Sequence, residues 1–206
     1  MKGLRFKFQD KYSDQWVTVK LYRENPSRVH YPIVTFDRMC EALTSAIRSP
    51  LLLDLHNFSC LGARYCLNGN IDIGKEVLPL FKEKRGISEE QTLALLEGIP
   101  QLHNSFRYMG LNVEEEPDLI LAYIHPRDMM QLLKTYQNKI GENLQMELSG
   151  VMGVCAQVVV KTFLTEKISI SFGCDDSRKY AKIGRDKLIV GIPKKLFNLF
   201  IDQGNA

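Results

Sequence analysis

The chain has 206 residues, 45% of them hydrophobic, and a formal net charge of +3. That content supports a proper core without disulfide staples, and a charge so near balance gives no electrostatic case for a nucleic-acid partner. No apolar run approaches the ~18 residues of a membrane-spanning helix, and Met1 to Asp10 carries basic residues but no apolar signal region, so a cytoplasmic protein is expected.

Trp16 to Tyr22 alternates and is rich in β-branched residues, which predicts a strand. From Phe36 the apolar positions Met39, Cys40, Leu43, Ala46 and Ile47 recur at helical spacing, with Asp37 or Thr35 as the expected N-cap and Pro50 just past the end. Leu51 to His56 reads as a short buried strand running towards Cys60. Ser88 followed by Glu89 and Glu90 is a helix start. Asp118 to Ile124 reads as a central strand, and Pro126 opens the helix that follows. Val151 to Phe163 is a second helix carrying Cys155, Lys167 to Phe172 a strand, Leu188 to Val190 another, and Pro193 to Ile201 a terminal helix. Strands alternating with helices argue an α/β layer structure.

Two stretches resemble one another. Cys40 is followed after twenty residues by Cys60, within Phe58-Ser59-Cys60 and with Arg64 four further on; Cys155 is followed after nineteen by Cys174, within Phe172-Gly173-Cys174 and with Arg178 four further on. Gly98-Ile99-Pro100 recurs as Gly191-Ile192-Pro193, and Asn104-Ser105-Phe106 as Asn198-Leu199-Phe200. The acidic segment Asn112 to Pro117 is the natural join. The expected fold is therefore α/β, with two related halves packed about a pseudo-two-fold axis and a mixed sheet flanked by helices. Residues 1–112 form the first half, with an N-terminal extension and an inserted helix, residues 113–206 form the second, and both make one compact unit.

Such symmetry would bring four thiols together. In a reducing compartment, cysteines are free, metal-bound or catalytic rather than bridged, and thiolates are soft ligands. The leading chemistry is an iron–sulfur cluster on Cys40, Cys60, Cys155 and Cys174, with Arg64 and Arg178 supplying positive charge to the sulfurs. An electron-transfer protein is then the expected partner. Zinc fits less well, because the short ligand spacings of structural zinc sites are absent. Against this stands the plain reading of cysteine as a small buried hydrophobe, easiest to accept for Cys40 and Cys155 on their apolar helix faces. A thiol-dependent enzyme is a second class: Cys60 or Cys174 at a turn, with His56 as the nearby base and Asp175 or Asp176 as acid–base groups. A third is a cofactor-free protein binding a small ligand in the cleft between halves, where Gly150, Gly153 and Gly173 let backbone approach it. The basic residues between Lys179 and Lys195 are interrupted by Asp186 and read as a solvated face.

The strings Val17-Thr18-Val19-Lys20-Leu21, Arg38-Met39-Cys40-Glu41-Ala42-Leu43, Cys60-Leu61-Gly62-Ala63-Arg64-Tyr65, Pro117-Asp118-Leu119-Ile120-Leu121, Val154-Cys155-Ala156, Ser171-Phe172-Gly173-Cys174-Asp175-Asp176-Ser177-Arg178 and Leu188-Ile189-Val190-Gly191-Ile192-Pro193 resemble the family called domain of unknown function 169, also labelled archaeal conserved region. The resemblance runs from about Trp16 to the C-terminus. It implies a protein of archaea and anaerobic bacteria, a setting in which an exposed cluster survives, and it brings no assigned activity. Leu61 stands where the family usually has proline, and the family lacks a cysteine at the position of Cys66.

Overall fold

Period-two alternation builds the centre of the sheet. In β1 (Trp16–Tyr22), Val17, Val19 and Leu21 enter one core cluster while Trp16 enters the other. In β5 (Leu119–Ile124), Leu119, Leu121 and Tyr123 join the first cluster, and Ile120, Ala122 and Ile124 the second. Both faces of these strands are thus covered. The others are β2 (Ile33–Val34), β3 (Leu51–Asp54), β4 (Tyr108–Leu111), β6 (Ser169–Ser171) and β7 (Leu188–Pro193). The seven strands lie in the order β2-β3-β4-β1-β5-β7-β6. Among the described residues only the β2–β3 pairing is parallel, so this is a mixed α/β fold. The computed structural model describes residues 12–13, 15–27 and 30–200; Met1 to Asp10 and Ile201, which entered the leader and terminal-helix readings, lie outside the described residues.

The helices divide between the two clusters. α1 (Met39–Ala46), α2 (Leu61–Ala63), α3 (Leu78–Arg85) and α4 (Glu89–Glu97) contribute Leu43, Ala63, Phe81 and Leu96 to the first. α5 (Pro126–Ile140) gives Met129 and Leu132 to the second. α6 (Lys161–Thr165) continues a π-helical turn, Cys155–Val160, whose valines return to the first cluster. α7 (Asp175–Lys179) follows β6, and α8 (Phe197–Phe200) packs Phe197 and Phe200 into the second cluster. Cys40, Cys66 and Cys155 all belong to the first cluster, with Cys60 packed against it. Among the described residues, no helix is long and apolar enough to cross a membrane.

Local chemistry explains the agreements and the differences. The Ser88 side chain accepts the Gln91 N–H and the Gln91 side chain accepts the Ser88 N–H, a reciprocal cap that starts α4 as expected. α1 starts later than its expected caps: its N-cap is Arg38, with no side-chain cap bond. The Asp37 carboxylate is taken by the Ser59 hydroxyl at 2.9 Å. β3 stops at Asp54, whose side chain accepts the His56 N–H and opens a 3₁₀ turn, Leu55–Asn57. Val151 to Val154 form a turn rather than the first helical residues.

The Gly-Ile-Pro strings are not structural counterparts. Gly98 caps the end of α4, whereas Gly191 lies inside β7. Asn104 has a left-handed φ of 58° in a turn, whereas Asn198 is helical. Gly191 has its own reason: a Cβ there would fall on the Thr162 hydroxyl and lie 2.8 Å from the Val158 carbonyl oxygen. Strand β7 can meet the Cys155–Val160 turn only without a side chain.

Candidate functional site: thiols of two π turns and two loops

Cys60 ends the loop after β3 and is the N-cap of α2. Its N–H donates to the Asp37 carbonyl at 2.9 Å, which ties this loop to the entrance of α1, where Cys40 is the second helical residue. α2 then widens into a π turn, Arg64–Asn68, that contains Cys66; Cys155 begins another π turn, Cys155–Val160. Such turns insert a residue into the helical ladder and recur at functional sites. Interaction with the Cys66 thiol is the leading cause that pushes the Cys155 thiol well above its usual range, and burial and the Cys174 sulfur add to it, while the Cys155 thiol itself donates to the Met152 carbonyl at 3.8 Å. The Cys66 thiol also donates to the Gly62 carbonyl at 2.8 Å.

Cys174 is the N-cap of α7. Its N–H donates to the Ser177 hydroxyl, which donates back to the Cys174 carbonyl at 2.7 Å. Gly173, at φ 82°, turns the chain into this arrangement. The loop is pressed against the Cys155 turn: a Cβ on Gly153 would lie 2.6 Å from the Gly173 carbonyl carbon and 2.7 Å from its oxygen. The glycines expected to meet a ligand therefore meet each other, while Gly150 faces open space.

The thiols act on one another. Burial, then the sulfurs of Cys174, Cys155 and Cys60, push the Cys40 thiol far above its ordinary range. The Cys60 thiol is pushed up to about 11, by burial first and Cys155 next, with the Ala63 and Gly62 amides opposing. Cys60 and Cys155 are remote from each other in the sequence. Their sulfurs lie 3.9 and 3.8 Å from the point where a Cβ of Gly62 would stand, a point 3.0 Å from the Met152 Cγ. All five cysteines are free thiols. Among the described residues, no group of three or more His, Cys, Asp or Glu side chains is arranged to hold a metal ion.

The two arginines have other employment. Arg64 donates to the Asn70 carbonyl and, through two nitrogens, to the Glu76 carboxylate at 2.5 and 2.9 Å, which holds that carboxyl below its usual range. Arg178 donates to the carbonyls of Phe172, Ile183, Gly184 and Lys187. It brackets the Cys174 loop by its backbone and remains within electrostatic reach of that thiol. Lysine, a point charge without the planar fork, cannot span these acceptors. Arg178→Lys is expected to lower stability by about 2 kcal/mol and to speed alkylation of Cys174, read by denaturant unfolding and thiol labelling.

One cation within electrostatic reach of Cys60 is a residue that spacing did not single out. Arg38 lies 3.7 Å above the centre of the Tyr180 ring, 3.6 Å from the Asp176 carboxylate and 3.7 Å from Glu41. Burial opposes its charge, but Asp176, Glu41, Tyr180 and Cys60 together hold its pKa above the usual value. Asp176 is thus the ion-pair partner of a residue remote in the sequence. Asp175 and His56 are exposed, and the His56 N–H donates to Asp54. The position of Arg38 directly before the Met39-Cys40 helix start was the one available signal.

A family model described as uncharacterised ArCR matches residues 11–203. An uncharacterized protein of Methanocaldococcus jannaschii is 29% identical over 168 residues, spanning 76% of this chain and 71% of that one. No solved structure matches.

Proposed function

We propose, for a chain that belongs to the uncharacterised ArCR family (domain of unknown function 169), that Cys40, Cys60, Cys155 and Cys174 hold an iron–sulfur cluster at the meeting of two related halves. The observation that carries this reading is the approach of the Cys60 and Cys155 sulfurs, remote in sequence, to Gly62: they lie 3.9 and 3.8 Å from the point where its Cβ would stand. The donor chemistry is of the right kind, four soft thiols, with Cys174, Cys155 and Cys60 acting on Cys40 and Cys155 acting on Cys60. The strand order supports the halves. With β1, β3 and β4 matched to β5, β6 and β7, the run β3-β4-β1-β5-β7-β6 reads the same from either end, about the antiparallel β1–β5 pair.

When bound, such a group supplies one-electron transfer. The chain's own residues do the rest. Cys40 and Cys155, buried within the first cluster, keep water from two of the ligand positions. Their raised thiols remain protonated in the metal-free protein, so loading must release protons. Arg38 offsets negative charge on the Cys60 side. An electron-transfer protein is the partner this reading requires.

Anaerobic purification followed by iron, sulfide and zinc analysis and a visible spectrum tests it. Stoichiometric iron and sulfide with a broad band at about 400 nm are expected. A colourless, metal-free protein that is fully folded and takes up no iron and sulfide on anaerobic reconstitution would overturn it.

A further inference from the structure

A second feature lies beside the thiols and owes nothing to them. An open groove of about 1060 Å³ separates α1 from the segment after α7. That volume suits an organic molecule of moderate size. Its apolar wall includes Phe36 and Ile47 from the first half and Ile183 from the second. Tyr123, from the central strand β5, also lines it.

Tyr123 is the informative residue. It is 2% exposed, and its hydroxyl has no hydrogen-bond partner among the described residues. Buried polar groups are almost always satisfied, and one that is not calls for an explanation. Burial keeps the phenol protonated across the physiological range, so it offers a donor that lacks an acceptor.

The charges of the groove are unequal in freedom. Of its acids, Asp37 accepts the Ser59 hydroxyl and Glu41 pairs with Arg38. Its exposed cations Arg48 and Lys182 have no ion-pair partner among the described residues. Lys182 is also held in the left-handed region at φ 54°, a conformation that costs a non-glycine residue.

We infer that this groove binds a small organic anion, with its apolar body between Phe36, Ile47 and Ile183, its charge at Arg48 and Lys182, and an acceptor oxygen at the Tyr123 hydroxyl. Residues from both sides of the chain's midpoint are needed to make it. The same strand that carries Tyr123 faces Cys40, so the groove borders the thiols without including a cysteine in its lining.

The probe is 1-anilinonaphthalene-8-sulfonate, an aromatic anion whose fluorescence rises on burial, titrated into the folded full-length chain. Its uncharged counterpart, N-phenyl-1-naphthylamine, is titrated alongside. One saturable site is expected, with the sulfonate bound at least about tenfold more tightly than the neutral amine. Combining Arg48→Ala with Lys182→Gly should weaken sulfonate binding about tenfold. Because glycine relaxes the left-handed backbone, the melting temperature should not fall through position 182. Tyr123→Phe should weaken binding about fivefold, while a merely buried ring would leave affinity unchanged. The absence of a saturable site, equal affinity for the two probes, or indifference to these substitutions would overturn the assignment. Iron content is measured on the same samples and is expected to be unchanged, so failure here is distinguishable from failure of the cluster.

Discussion

Gly153→Ala is expected to lower the unfolding free energy by about 3 kcal/mol. The new Cβ would stand 2.6 Å from the Gly173 carbonyl carbon, 2.7 Å from its oxygen and 2.7 Å from the Ser171 hydroxyl. Two of these atoms are backbone, and the third cannot turn away freely, because the Ser171 hydroxyl accepts the Gly173 N–H at 2.9 Å. Relief therefore requires the whole loop before Cys174 to move away from the turn before Cys155. The same displacement separates Cys155 from Cys174, so Cys174 should alkylate faster while the sheet persists. Gly150→Ala is the matched control: it lies three residues away, with no heavy atom within 4 Å of the added carbon, and should be close to neutral. Urea unfolding of the three proteins checks this, and a Gly153→Ala protein as stable as wild type would mean that the two loops are not stacked.

The strands were the readable part, because burial on alternate sides leaves a period in the chain. β1 occupies the residues that alternation indicates, and β5 is central as its continuous apolar run implies. Strong terminal chemistry was readable too: Ser88 with Gln91 at α4 and Pro126 at α5. What alternation and helical spacing cannot reveal is a change of ladder. Cys66 and Cys155 lie in π turns whose apolar residues look like ordinary helix to a 3.6-residue template, so the contact between them was invisible. Equally hidden were the partners of long side chains. Arg64 and Arg178 stand at equal distances from a cysteine in sequence, yet one grips a carboxylate on the following turn and the other a ring of carbonyls. Arg38 meets Asp176 and Tyr180 across the molecule, a contact no local pattern encodes. The repeated Gly-Ile-Pro misled for a related reason: the same tripeptide serves as a helix end once and as strand interior once, and the strand's glycine answers to Thr162 and Val158.

Cys155→Ser is expected to reduce iron per chain on the order of tenfold, whereas Cys66→Ser should leave it near the wild-type value. The two residues touch, are both buried and belong to facing π turns, which makes them a demanding pair. Their surroundings differ in kind. Cys66 spends its thiol on the Gly62 carbonyl, and a serine hydroxyl donates there equally well. Cys155 stands with Cys60 beside Gly62 and acts directly on Cys40 and Cys60 as well. Serine oxygen is a hard donor and replaces a thiolate poorly towards a cluster. Cys40→Ser, Cys60→Ser and Cys174→Ser should follow Cys155→Ser, each protein being shown to unfold cooperatively before its metal is measured. A plain set of buried hydrophobic thiols would behave otherwise: no variant would change iron, and the largest effects would track burial, placing fully buried Cys66 first and half-buried Cys60 and Cys174 last. The order of the five variants therefore separates ligation from packing even if the metal is lost on isolation, because reconstitution with iron and sulfide reads the same ranking.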